Sequence, residues 1–240
     1  MHVVHAKMTD AWRILGELNY VDTIFNHFST AWIDGRGRIF VSMNPEGILA
    51  VEMTPSDWIT IPLDEADKLN PEKLGVNADG YKLHRLIHKV RARPGSAIHT
   101  HSENALAVGT SSAGLLPISQ TAIEFILETI CIGYQGLFRE AEIDPGLMRL
   151  FGTGGVGLLR NHGLLVVASN IEEAVYMQHY VEVACKAQLL ALSLGGAPLT
   201  PPDHVVTQTA AELRKDRAAA AEKLFKAFQR VLLKNRSAHR

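Results

Sequence analysis

The sequence predicts a domain of mixed α and β structure in which helices cover a central sheet. Segments with the apolar pattern of strands are interspersed with segments of helical spacing. The two kinds do not alternate strictly, which favours an α/β or α+β fold. The 240 residues are 47% hydrophobic, which is enough for a sizeable core, and no linker rich in Ser, Pro or Gly divides the chain. We therefore expect one main domain.

Three segments predict helices. The first is 9–18. The second, 82–91, carries apolar side chains at helical spacing and stops before the turn signal Arg93-Pro94-Gly95. The third, 171–194, is a long amphipathic segment that Asn170 can cap.

Other segments predict strands, which are bounded by turn residues. The turn Asp34-Gly35-Arg36-Gly37 joins two of them, and Asn161-His162-Gly163 interrupts the last one, so that it forms two strands. The predicted strand segments are 29–32, 38–43, 58–63, 96–101 and 156–168.

Charge and cysteine content exclude several classes of protein. The chain has 24 Lys and Arg against 25 Asp and Glu, which argues against a nucleic-acid binder that relies on a global positive field. Cys131 and Cys185 stand far apart, so neither a disulfide framework nor a thiolate metal cage is indicated. The start lacks a signal-peptide pattern, and the charge-free run 104–123 is too polar to span a membrane. We expect a cytoplasmic protein without nucleic-acid or membrane partners.

The C-terminal segment 211–240 differs from the rest. It has nine Lys and Arg residues against three acidic ones, a net charge of +6, and the remainder carries −7. We predict a division into a domain of residues 1–210 and a basic amphipathic helix of residues 211–240. Such a helix can bind anionic partners, but we expect it to pack on its own domain or on a neighbouring subunit. Its apolar stripe consists of Leu213, Ala221, Leu224, Phe228 and Val231.

Histidines carry the sharpest chemical signal of the sequence. Side chains alternate along a strand, so His99 and His101 project from one face and can reach one ion. His162 lies in a predicted turn, where we expect Gly163 to allow the tight bend that points it inward. Three imidazoles with an open position form a known catalytic metal site. The spacing is equally compatible with a pair of satisfied core histidines.

The remaining histidines and one glycine motif give weaker signals. His84 and His88 are spaced i, i+4 on a helix without the Glu of HExxH, so a solvated or supporting role is expected. The stretch 152–157 matches GxGxxG, but a predicted strand follows it, so it does not indicate a nucleotide site. The histidines without ligand spacing are His2, His5, His179, His204 and His239.

At these residues the sequence resembles the class II aldolase/adducin family. In that family, an HTH motif and an NHG motif supply three metal-binding histidines. The HTH motif corresponds here to Ala97-Ile98-His99-Thr100-His101-Ser102. The NHG motif corresponds to Leu159-Arg160-Asn161-His162-Gly163-Leu164-Leu165. Phe25-Asn26-His27-Phe28-Ser29 is similar to its N-H-x-S segment and Asn44-Pro45-Glu46-Gly47 to its N-P-x-G turn. Further similarity in segments 114–119 and 171–174 extends the match to about residues 7–200.

The resemblance implies a three-layer α/β/α domain around a mixed, mostly antiparallel sheet. It implies a homo-oligomer, often a tetramer with active sites between subunits, that acts on a small molecule. It also implies one divalent metal per subunit, zinc first, with manganese or iron as alternatives, bound by His99, His101 and His162. The substrate-binding residues that it implies are His27, Ser29, Asn44, Gly47 and Gly80.

The chain lacks one catalytic residue of the family's aldolases, and this absence limits the reactions that it can catalyse in the same way. The aldolases of the family carry a catalytic Glu in an S-S-E-x-x-x-H pattern, and the corresponding stretch here, Ala78 to His84, has Gly80 at that position. Glycine cannot transfer a proton. Their phosphate-binding pairs correspond to Asn26-His27 and Ala78-Asp79, where the acidic side chain would repel a phosphate. The sequence therefore argues against a sugar-phosphate aldolase.

Three functions are compatible with these residues. The first is a metal-dependent lyase that decarboxylates or cleaves a small hydroxy, oxo or aromatic carboxylate, because decarboxylation needs no base at position 80. In such a lyase, His27 could contact the carboxylate of the substrate. The alternative is that His27 is a buried loop histidine without this role. The others are a non-haem iron oxygenase and a non-catalytic, adducin-like domain for oligomerisation and protein binding. Candidate proton donors, which the sequence does not rank, are Asp79, His84, Glu124 and Tyr176.

Overall fold

The computed structural model describes residues 1–134, 136 and 143–238. Within them, a single seven-stranded sheet has the strand order β3-β2-β1-β4-β7-β6-β5. All neighbouring strands are antiparallel except β5 and β6, which are parallel. The strands are β1 His27–Ile33, β2 Ile39–Met43, β3 Ile59–Pro62, β4 Gly95–Thr100, β5 Thr129–Ile132, β6 Gly155–Leu159 and β7 Gly163–Ala168.

Helices cover both faces of this sheet, which confirms the mixed, mostly antiparallel architecture. One layer contains α1, α4, α5, α7 and α8, and the other contains α3 and α6. The helices are α1 His2–Glu17, α2 Pro71–Leu74, α3 Ala78–Arg91, α4 Glu103–Thr110, α5 Gln120–Ile126, α6 Pro145–Thr153, α7 Ile171–Ser193 and α8 Asp203–Ala238. Within the described part of the chain, no helix is long and apolar enough to cross a membrane.

Alternation along the strands places two sets of side chains on opposite faces. Phe28, Ile98 and Leu164 belong to the core under the five-helix layer. His27 pairs in register with His99, and both project from the opposite face, the one that α3 covers. The sheet therefore brings two histidines that are 72 positions apart in sequence to adjacent positions below one helix.

The predicted elements are present, with shifted ends. Helix α3 begins four residues before the predicted start, because Asn77 accepts a hydrogen bond from the backbone N–H of Gly80 at 2.9 Å. Helix α1 begins at His2 rather than at residue 9. Asn170 caps α7 as predicted, by accepting from Glu173 N at 2.8 Å. The GxGxxG stretch leads from a helix into a strand, since α6 ends at Thr153 and β6 begins two residues later, within the stretch. This is the reverse of the strand-to-helix order that a dinucleotide site needs.

The long C-terminal helix α8 packs against α1, α5 and α7 of its own chain. It begins at Asp203, upstream of position 211, and residues 239 and 240, with His239, lie outside the described residues. One member of the predicted apolar stripe was wrong: Val231 is 53% exposed, whereas Phe225 and Leu232 are buried. The division into 1–210 and 211–240 stays a prediction.

Candidate metal centre

Three histidines converge at the C-terminal end of the central strand β4. His99 is in β4, His101 directly follows that strand, and His162 lies in the turn between β6 and β7. Because β4 and β7 are neighbours, the turn lies beside the end of β4. One ring nitrogen from each histidine lies within 4.8 Å of the other two, and the Nε2 atoms of His99 and His162 are 3.2 Å apart.

These distances suit a single divalent cation. Zinc bound by imidazole has Zn–N distances of about 2.0–2.1 Å, so two ligand nitrogens of a tetrahedral site are separated by about 3.3–3.4 Å. The spacing of 3.2 Å between the Nε2 atoms of His99 and His162 is close to this value. Three imidazoles also form the donor set that zinc and iron accept. The residues present therefore fit the metal that the family resemblance implies.

Each ligand candidate is oriented by the surrounding backbone or by a polar side chain. His99 donates its Nδ1 proton to the carbonyl of Leu164 at 3.0 Å, which leaves Nε2 as the free lone pair. The Nδ1 of His101 lies 3.6 Å from a carboxylate oxygen of Asp22. Asn26 accepts a hydrogen bond from the backbone N–H of His101 at 2.9 Å and donates another to Asp22. The loop before β1 therefore fixes His101.

The expectation about the turn at His162 was wrong in one respect. The residue with a positive φ is Asn161, at 58°, and not Gly163. Glycine is required at 163 because a Cβ there would lie 2.3 Å from the carbonyl oxygen of Thr100. Arg160 fixes the turn from outside by donating to the Gly109 carbonyl at 3.1 Å. The close approach of the β4 and β7 backbones thus positions His162.

Loss of water around the ring nitrogens keeps His99 and His162 in the neutral form that binds metal, although His162 is exposed as a whole residue. Desolvation lowers the pKa of His99 well below its usual value and lowers that of His162 as well. Both are therefore neutral at pH 7, and a neutral imidazole offers the lone pair that a cation needs. Burial alone would raise the pKa of Asp22, but the hydrogen bond from Asn26 and the charge of His101 outweigh it and lower that pKa.

Beside the three histidines lies His27, one of the predicted substrate-binding residues. It is 7% exposed, and its ring stacks on that of His99 with a centroid distance of 5.7 Å. Neither ring nitrogen makes a hydrogen bond of normal geometry with the described residues, and burial lowers the pKa of the ring to about 4. Gly80, in the first turn of α3, faces this ring.

The other predicted substrate-binding residues have partners within the fold or lie in turns. Ser29 is fully buried, and its hydroxyl lies between His84 Nδ1 at 2.6 Å and His88 Nε2 at 2.7 Å. Asn44 accepts from the backbone N–H of Phe28 at 2.8 Å. Gly47 occupies a turn position with a φ of 85°. Contact of Ser29, Asn44 and Gly47 with a substrate therefore stays a prediction.

The pair His84 and His88 supports the sheet from α3. Both side chains are fully buried, which contradicts a solvated role and agrees with a supporting one. They share the hydroxyl of Ser29, which has a single proton, so at least one of the two imidazoles donates a hydrogen bond to it. Desolvation lowers the pKa of His88 to about 3 and that of His84 well below its usual value.

The structure does not bring the remaining proton-donor candidates to the three histidines. Asp79 pairs with Lys82 at 3.0 Å near the surface of α3. Glu124 and Tyr176 belong to α5 and α7, in the layer on the other face of the sheet from His27. There Tyr176 donates to Glu124 at 3.0 Å, and Arg217 of α8 pairs with the same carboxylate at 3.0 Å. Burial raises the pKa of Glu124 despite this pairing.

Three polar residues have structural roles that no sequence pattern indicated, namely Asp22, Asn26 and Arg217. Asn26 was visible within the N-H-x-S segment, although its bond to His101 was not. No sequence signal marks Asp22, which lies 79 positions before the histidine that it approaches. Arg217 was one cation among nine in a basic segment, and only its burial distinguishes it.

Comparison with known proteins identifies the family. The model for the class II aldolase and adducin N-terminal domain matches residues 6–189, and the chain belongs to this family. A solved aldolase II superfamily protein from Pseudomonas syringae is 31% identical, with a TM-score of 0.79 over 96% of this chain and 93% of that one. An L-fuculose 1-phosphate aldolase from Glaciozyma antarctica has the same fold, with a TM-score of 0.78 over 97% and 91% of the two chains at 22% identity.

Sequence relatives include proteins of different kinds. Alpha-adducin of Rattus norvegicus is 31% identical over 199 residues, which are 82% of this chain but only 26% of adducin. A provisionally named aldolase class 2 protein of Pseudomonas aeruginosa is 31% identical over 189 residues, which are 78% of this chain and 71% of that protein. The chain thus spans about a quarter of adducin and most of the bacterial relative.

Proposed function

We propose that the protein is a divalent-metal-dependent lyase that cleaves a carbon–carbon bond in a small hydroxy, oxo or aromatic carboxylate. The observation that carries this proposal is the convergence of His99, His101 and His162, whose ring nitrogens lie within 4.8 Å of one another. A cation held by them, zinc first and manganese or iron as alternatives, supplies the positive charge that stabilises negative charge developing on substrate oxygens.

The residues of the chain hold and orient this centre. The Leu164 carbonyl fixes the ring of His99, and Asp22 approaches the ring of His101. His162 is exposed in the single chain, so the three-histidine centre is open to solvent on the side of this residue. A small substrate can therefore reach the cluster from solvent. A second subunit can also approach there, in agreement with a homotetramer whose active sites lie between subunits.

Glycine at position 80 favours decarboxylation over reactions that begin by removing a proton from carbon. When a carboxylate leaves as CO2, the electron pair of the broken bond stays on the remaining fragment, which then takes up a proton. The bond-breaking step needs stabilisation of charge, not a base on α3. Asp79, which is adjacent to this glycine, disfavours a phosphorylated substrate.

A second candidate function is a non-catalytic, adducin-like domain for oligomerisation and protein binding. The observation that favours it is the 31% identity with alpha-adducin over 82% of this chain, together with the missing glutamate. The presence of all three histidines weighs against it, because a scaffold has no need of a metal centre.

The deciding experiment uses the full chain, stripped of metal and reloaded with zinc, manganese or iron. Release of CO2 and of aldehydes is measured under nitrogen on a panel of hydroxy, oxo and catecholic carboxylates. We expect turnover that depends on metal and is lost in His101→Ala. His204→Ala, which changes an exposed histidine of α8, is the matched control and should keep full activity. Turnover only with oxygen would contradict a lyase and support an oxygenase. Metal binding without any turnover would support the adducin-like function.

A further inference from the structure

The ring of His27 fills the space that a side chain at position 80 would occupy. An ideal Cβ built on Gly80 would lie 2.6 Å from Cδ2 and Nε2 of His27 and 2.7 Å from Cε1. Such contacts are far inside van der Waals distance, so even alanine at position 80 would displace this ring. Glycine at 80 and the observed position of His27 therefore depend on each other.

His27 lies between α3 and the three-histidine cluster. One face of the imidazole stacks on His99, with an interplanar angle of 29°. His84 meets it edge-on from α3, at a centroid distance of 5.8 Å. The register between β1 and β4 fixes this placement, because His27 pairs directly with His99.

Neither nitrogen of His27 makes a hydrogen bond of normal geometry with the described residues, although the side chain is buried, and the side chain of Asn77 has only a minor effect on its pKa. An imidazole always has at least one N–H, and a buried donor without an acceptor costs about 1–3 kcal/mol of stability. By contrast, the hydroxyl of Ser29, two positions further on the same face of β1, forms hydrogen bonds with His84 and His88. The ring next to the cluster, which makes no well-formed hydrogen bond with the described residues, therefore points to an acceptor supplied by a ligand.

We propose that His27 contacts the substrate, and that the missing side chain at Gly80 leaves the space that the ring of His27 occupies. This inference rests on the proposed function: the N–H of His27 donates a hydrogen bond to an oxygen of a small, unphosphorylated carboxylate or oxyanion held at His99, His101 and His162. The side chain that contacts the ligand is then His27 of β1, whereas in the aldolases that the sequence resembles it is a glutamate at the position of Gly80 in α3. A larger side chain at position 80 and the ring of His27 cannot occupy the same space. The residues at positions 27 and 80 together therefore determine which ligands the site accepts.

The first test is a double-mutant cycle on unfolding of the metal-free chain in urea. Alanine is a better helix former than glycine, so Gly80→Ala has a favourable and an unfavourable effect in the wild type. In a His27→Ala background only the favourable effect remains. We expect the shift in urea midpoint caused by Gly80→Ala to be clearly more favourable in that background. Gly152→Ala, in α6 with no atom closer than 3.9 Å to the new Cβ, should give the same shift in both backgrounds. Equal shifts for Gly80→Ala would contradict the steric pair.

The second test measures binding of acetohydroxamate, a small chelating oxyanion, to the zinc-loaded full chain by calorimetry. We expect His27→Ala and Gly80→Ala each to weaken binding at least tenfold, and the double variant to be no weaker than either one. Bound zinc is measured in every sample and should not change. Unchanged affinity in His27→Ala with zinc bound would overturn this inference and leave the proposed function intact. A wild-type chain that binds no zinc, manganese or iron would overturn both.

Discussion

The Nε2 atoms of His99 and His162 lie 3.2 Å apart, although the two residues are 63 positions apart in sequence. Antiparallel pairing of β4 with β7 brings them together, and the close approach of the two backbones requires a glycine at position 163. The geometry of the candidate metal centre is therefore a property of the sheet. Changes that disturb the adjoining ends of β4 and β7, or the loop at His101, should change metal affinity.

Gly163→Ala should destabilise the fold and lower metal affinity together. The new Cβ would lie 2.3 Å from the Thr100 carbonyl oxygen, so the strands must separate, and overpacking of this kind costs about 1–3 kcal/mol or more. Urea unfolding and metal titration measure the two effects. Gly35→Ala is the control, because no atom lies within 4 Å of its new Cβ. Equal stability of the two variants would contradict the backbone constraint.

Asp22→Ala should weaken metal binding through His101. A carboxylate near the Nδ1 of a ligating histidine orients the ring, and its removal costs about 10- to 100-fold in metal affinity. Competition with a chromophoric chelator measures the affinity. Glu222→Gln, at an exposed pair on α8, should leave the affinity unchanged. If Asp22→Ala binds metal as tightly as the wild type, Asp22 has no part in positioning His101.

The buried ion pairs of Arg217 should contribute strongly to the docking of α8. Arg217 is 4% exposed and pairs with both Glu124 and Glu128. Its replacement by alanine leaves the buried carboxylate of Glu124 without a cation and leaves Glu128 only the more distant Arg214, at 3.7 Å. Removing one partner of a buried ion pair costs about 3–5 kcal/mol. Lys226→Ala, which breaks an exposed pair on the same helix, should cost less than about 1 kcal/mol. Urea unfolding compares the two variants, and a similar loss in both would show that Arg217 does not anchor the helix.

The metal-free protein should lose stability as the pH falls below 6.5. The folded-state pKa values of His84 and His88 lie below 6.5, His88 at about 3. Below pH 6.5 the unfolded chain therefore binds protons that the folded chain does not. Each such histidine lowers the free energy of unfolding by about 1.4 kcal/mol per pH unit until the pH reaches its folded-state pKa. His88→Gln should reduce the slope between pH 6 and 5 by about that amount. An unchanged slope would mean that His88 is protonated in the folded chain.

Local patterns in the sequence predicted much of the fold and part of the site. Strand alternation predicted that His99 and His101 share a face, and the turn residues placed His162 between two strands. Their convergence depends on the pairing of β4 with β7, which no local pattern encodes, so only the family resemblance implied it. The meaning of glycine at 80 also depends on a tertiary contact, because its missing side chain matters only once His27 fills the space.

Burial of polar groups was the least predictable feature. A charged side chain in a basic helix is normally solvated, yet Arg217 is buried because two carboxylates from α5 and the following segment meet it. In the same way, the i, i+4 spacing of His84 and His88 predicted a shared face of α3. It did not predict that Ser29 of β1 would lie between them.

The metal content of the purified full chain tests directly whether the three histidines form a metal centre. It is measured by inductively coupled plasma mass spectrometry after equilibration with zinc and gel filtration. We expect about one zinc ion per chain in the wild type and in His204→Ala, and little or none in His99→Ala or His162→Ala. His162 is exposed, so its replacement should leave the fold intact, and circular dichroism checks this. Unchanged zinc content in folded His99→Ala and His162→Ala, or no zinc in the wild type, would contradict the assignment of these histidines as a metal centre.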